Sequence, residues 1–116
     1  MKEKIRKFFA ILSIEFDDIR DGLTMLIDTT EERFRKHEIT GYVWTENSAL
    51  LRREQKLIQI LHERVQELNP DEYENLDEAV EAVRKIVRGM SGIPQAVPEF
   101  IEKRIHKVLQ YMNNDA

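Results

Sequence analysis

Cysteine is absent from the 116 residues, which removes disulfides, thiolate nucleophiles and cysteine-ligated zinc. Glycine and proline are scarce, at four and three, so the chain has few places to turn and no glycine-rich loop to cradle a phosphate. No apolar run approaches the roughly 20 residues that span a bilayer. The basic N-terminus leads into an apolar stretch from Phe8 to Leu12, but charges from Glu15 onward cut it short. No small-residue cleavage site follows, so no secretory signal is expected and the cytoplasm is the default compartment. A basic excess is missing too: the formal net charge is -4 and the pI about 5.4. Clusters such as Arg52, Arg53, Lys56 and Arg84, Lys85, Arg88 are surrounded by acidic residues. That pattern argues against a generic phosphate-backbone binder, and neither nucleic acid nor a membrane is an expected partner.

What the sequence does have is charge and helical periodicity. Hydrophobic residues make up 41% and charged residues 34%, enough apolar content for a core. The expectation is one all-α domain over residues 1–116, an elongated antiparallel bundle of about four main helices. Ile5, Phe9, Leu12, Phe16, Ile19, Leu23 and Leu26 alternate steps of four and three, one apolar stripe on a first helix over about residues 3–27. Asp28-Thr29-Thr30 reads as its end, with Thr29 and Glu32 at capping-box spacing. The second helix either begins near Thr30 and runs through Gly41, or breaks around Thr40-Gly41 and restarts near Thr45. Asn69-Pro70 stops it and offers a cap for the third, with Asn75 and Glu78 as an alternative start. The third helix places Tyr73, Leu76, Val80, Val83 and Val87 on one face, with Gly89 as the residue just past its end. A fourth helix, opening near Pro98, turns Ile101, Ile105, Val108 and Met112 inward.

Two irregularities stand out. The second helix's seam reads Trp44, Asn47, Leu51, Glu54, Ile58, Leu61, Val65, Leu68, with two polar residues at core positions. A buried carboxylate needs a partner, a proton or a cavity, and Arg20 or Thr24 of the first helix could supply the partner. Three explanations compete. Asn47 and Glu54 fix register or oligomeric state; or they line a polar pocket with Trp44, Tyr42 and His37; or the helix is rotated and both reach solvent. The second irregularity is the long apolar connection from Gly89 to Pro98, where Met90, Ile93 and Val97 either cover the bundle end or offer an interaction loop.

Catalytic constellations are few. Asp18 and Asp21, beside Asp17, and Glu78 and Glu81, near Glu74 and Asp77, have the three-residue spacing with which all-α nucleotide hydrolases hold magnesium. Helical angles turn both pairs away from the apolar stripes, so they read as solvated faces. His37, His62 and His106 form no metal-binding pattern and read as surface or boundary residues. No metal, cofactor or catalytic set is expected. The sequence therefore favours a non-enzymatic interaction protein, a small adaptor or regulator that self-associates as a homodimer or engages a protein partner. A small metal-dependent hydrolase acting on nucleotides is the alternative.

Overall fold

The computed structural model describes residues 2–90, 92–93 and 96–114. Among these, four α-helices and one 3-10 turn account for all regular structure, and there is no strand: α1 (Lys2–Arg35), α2 (Gly41–Gln66), the 3-10 turn (Pro70–Glu72), α3 (Leu76–Gly89) and α4 (Ala96–Asn114). The fold is an all-α helical bundle. None of the helices is long and apolar enough to cross a membrane. The chain gathers into two compact units, one of residues Phe16–Ile60 and one of Met1–Glu15 with Leu61–Ala116.

α1 continues past the expected stop. Thr24 and Thr30 donate their hydroxyls to the carbonyls of Arg20 and Leu26, at 3.1 and 2.8 Å, so these side chains are satisfied within the helix. The Asp28-Thr29-Thr30 segment is therefore helix interior, and the helix ends at Arg35. Its end is a Schellman motif: the Glu38 amide bonds the Arg33 carbonyl at 2.9 Å and the His37 amide bonds the Phe34 carbonyl at 3.0 Å. His37 takes the left-handed position with φ 61°. The break falls just before Gly41, and Thr40 caps α2 by accepting from the Val43 amide at 3.2 Å. The restart is at Gly41, four residues ahead of Thr45.

The stripe on α1 also drifts from the expected heptad. Its buried residues are Ile5, Phe8, Leu12, Phe16, Ile19, Leu23 and Ile27, with Phe8 replacing Phe9 and Ile27 replacing Leu26. That set follows the 3.6-residue turn of a straight helix more closely than the 3.5-residue heptad step, and the slip shows at both ends of the stripe. Phe9 is half-buried and meets Tyr73 edge-on at 6.2 Å.

In the unit containing both termini, α1 supplies Ile5, Phe8 and Leu12, and α2 supplies Leu61 and Val65 to the buried set. α3 adds Ala79, Val80, Val83 and Val87, and α4 adds Ile101, Ile105, Val108 and Met112. Asn69 and Pro70 open only the 3-10 turn, where Asn69 accepts from the Asp71 amide. α3 instead starts at the second capping signal. Asn75 accepts from the Glu78 amide at 2.9 Å, and the Glu78 carboxylate reaches back to the Glu74 amide at 2.9 Å. Gly89 is the last residue of α3 and not the left-handed residue beyond it; Met90 is the C-cap, and positive φ (72°) belongs to Gly92.

Candidate functional site

In the unit of Phe16–Ile60, the side-chain contacts between α1 and α2 include the following two. Phe34 stacks on Trp44 with ring centroids 4.6 Å apart, and the Gln55 amide donates to the Thr24 hydroxyl at 2.9 Å. Rising positions on α1 thus meet falling positions on α2. The apolar residues buried here are Phe16, Ile19, Leu23, Ile27 and Ile58. Many others are not covered. Met25 and Leu26 on α1 are 69% and 53% exposed, and Tyr42, Val43 and Leu50 on α2 are 75%, 36% and 51% exposed.

Val43 and Leu50 belong to a regular set on α2. Val43, Leu50 and Leu57 repeat every seven residues, each one position before Trp44, Leu51 and Ile58. At 100° per residue the two sets form adjoining stripes, an inner one toward α1 and an outer one beside it. Asn47 and Glu54 fall between the two stripes on that wheel. The exposures agree: Ile58 is buried, Leu51, Glu54 and Leu57 are half-buried, and Asn47 and Leu50 are exposed. The apolar arc of α2 is wider than one helix covers.

The other residues named from sequence lie as follows. Trp44 is half-buried against Phe34, Tyr42 is exposed two residues before it, and His37 is exposed just past the end of α1. The Thr24 hydroxyl is not a partner of Glu54: it donates to the Arg20 carbonyl and accepts from Gln55, one position along. Met90 and Ile93 are half-buried, as is Val97, which lies in the first turn of α4. Ser91, Pro94 and Gln95 of the same connection lie outside the described residues.

The unit with both termini holds polar features that the spacing did not show. His62 is buried, contrary to its reading as a surface or boundary residue. It follows Leu61 on the inner side of α2, and its Nε2 lies 2.6 Å from the Ser13 hydroxyl of α1. Glu15, also not singled out, is mostly buried, and its two carboxylate oxygens take Arg104 at 2.6 Å and Lys107 at 3.1 Å. The Arg104 guanidinium also lies 5.0 Å above the Phe100 ring. Both partners of Glu15 lie on α4, 89 residues away in the case of Arg104. No local pattern could reveal them.

A groove of about 470 Å³ opens along α3, lined by Asn75, Asp77, Glu78, Val80, Glu81, Arg84 and Leu109. Glu78, Glu81 and Arg84 there are already engaged. Glu81 is held below its usual carboxyl range, first by the hydrogen bond from Arg88 and then by Arg84. Arg84 binds Glu102 in a forked pair at 2.7–3.1 Å, and that bond raises its pKa. Tyr73 is pushed up by burial and by the charge of Glu72. Among the described residues, no group of three or more His, Asp or Glu side chains is placed to hold a metal ion. Asp17, Asp18 and Asp21 are exposed, as the helical angles implied. No family model matches the chain, and neither the curated proteins nor the solved structures contain a match to it.

Proposed function

We propose that this chain is a non-enzymatic helical assembly protein that associates with a second copy of itself, serving as a small adaptor or regulator. The supporting observation is the outer stripe of α2, where Val43, Leu50 and Leu57 recur at heptad spacing with Leu50 half exposed. Scattered surface leucines are ordinary, whereas an ordered stripe beside a polar margin is the pattern of an interaction face. A two-helix unit with uncovered apolar surface is completed most simply by a second such unit, giving a four-helix arrangement with two-fold symmetry. A chain without cysteine suits the reducing cytoplasm, which we take as its compartment.

Light scattering across a concentration series tests this reading. The wild-type chain is expected to move from 13.8 kDa toward twice that mass as concentration rises. Leu50→Glu places a charge in the stripe and is expected to hold the chain at the monomer mass. A wild type that stays monomeric at every concentration would sink the proposal.

A further inference from the structure

Asn47 and Glu54 make the outer stripe self-complementary. Together the positions Val43, Asn47, Leu50, Glu54 and Leu57 step by four and three along one side of α2, the spacing of a helix–helix seam. Its polar members can pair with one another. Asn47 carries an amide that donates two N–H bonds, and Glu54 carries a carboxylate that accepts. No side-chain hydrogen bond or ion pair is found for either among the described residues. A half-buried carboxylate on an apolar margin gains from a donor supplied across an interface.

We infer that the occupant of this face is a second copy of the chain, with its α2 crossing antiparallel to the first. This rests on the self-association proposed above and specifies its geometry. The two-fold axis passes midway between Leu50 and Leu51, the point equidistant from Asn47 and Glu54. Reversing one helix about that point brings Asn47 of each copy against Glu54 of the other. Symmetry makes the bond twice, flanking an apolar centre at Leu50. A parallel pairing would do the opposite: it would set Glu54 against Glu54 near an apolar seam, two like charges with no counter-ion. Polar residues between apolar layers then select the antiparallel register, the recurrent use of such residues in helical seams.

The absence of cysteine makes cross-linking a clean test, because every thiol in a variant is one that was introduced. Seven residues along a helix separate positions 47 and 54 by about 10 Å, beyond the reach of a disulfide within one chain. The double variant Asn47→Cys with Glu54→Cys is expected to form a covalent dimer on mild oxidation, seen at twice the monomer mass on a non-reducing gel. Each single variant is expected to remain uncross-linked, since the antiparallel crossing holds like positions apart. Asn47→Lys, which offers Glu54 of the other copy a cation, is expected to tighten self-association several-fold. Cross-linking by either single variant, or weaker association of Asn47→Lys, would mean a parallel seam and overturn the inference. If wild type dimerises but the double variant does not cross-link, assembly survives and this geometry does not. A strictly monomeric wild type removes both.

Discussion

His37 is where one residue carries a measurable backbone strain. It holds φ 61° at the end of α1, a region where a β-carbon costs about 1–2 kcal/mol and glycine is the common occupant. Histidine is among the side chains that enter this region more readily than most, and here it is exposed, so packing does not demand it. The Schellman hydrogen bonds run through the backbone, and the flanking Arg33–Glu38 ion pair at 3.4 Å stands where an apolar contact is usual. None of these depends on the imidazole. His37→Gly is therefore expected to raise stability by up to about 1 kcal/mol, read as a higher denaturant midpoint with unchanged slope. A lower midpoint would show that the ring makes a contact of its own. His62 shows the reverse limit of legibility. Its partner, the Ser13 hydroxyl, lies 49 residues away on another helix. Sequence spacing describes one helix at a time and could not distinguish this buried histidine from an exposed one.

Among the elements, helix interiors were more legible than their ends. The inward faces of α3 and α4 follow the apolar periodicity closely, because burial of Val80, Val83, Ile101 and Ile105 demands it. Ends are settled by single hydrogen bonds between competing signals. Thr29 and Glu32 have the same spacing as Asn75 and Glu78, yet only the second pair caps a helix. Around Thr29, the apolar positions Leu23, Ile27 and Phe34 continue the same face, so extending α1 buries more than stopping it would. Around Asn75 no helix precedes the cap, and the side chain is free to close it. Asn75→Ala removes the acceptor for the Glu78 amide and is expected to cost about 1 kcal/mol. Asn75→Asp, which keeps an acceptor and complements the helix dipole, is expected to cost little. A second expectation on α3 concerns Glu81, whose carboxyl is held below the usual carboxylate range because Arg88 and then Arg84 favour its charged form. A lowered folded-state value means the interaction is fully present above the ordinary carboxyl range and fades as pH falls through the folded midpoint. Carboxyl titration by NMR should find Glu81 below its usual midpoint, and Arg88→Ala should move it up. An unmoved midpoint would assign the shift to Arg84 alone.

For the molecule as a whole, the seam on α2 was legible as a conflict before it was legible as a surface. Placing Asn47 and Glu54 in the core left two polar groups with three competing explanations; on the wheel they lie between an inner and an outer stripe, and both stripes are apolar. One chain's worth of helices leaves the outer stripe largely uncovered, as the exposure of Val43 and Leu50 shows. Whether that surface matters to stability is a thermodynamic question with a definite signature. If folded chains associate and unfolded ones do not, mass action links the two equilibria, and the melting temperature rises with protein concentration. The wild-type melting temperature is therefore expected to increase steadily over a hundredfold concentration range. Leu50→Glu should abolish that dependence while leaving the dilute-limit value close to wild type, because an exposed leucine contributes little to the monomer. Ile14→Glu is the matching control: Ile14 is 66% exposed but lies on α1 outside the stripe, so its substitution should preserve the concentration dependence. Loss of the dependence in both variants would locate the association on a broader surface than α2. A flat wild-type curve would mean that the outer stripe stays uncovered in solution and that its heptad spacing serves no assembly.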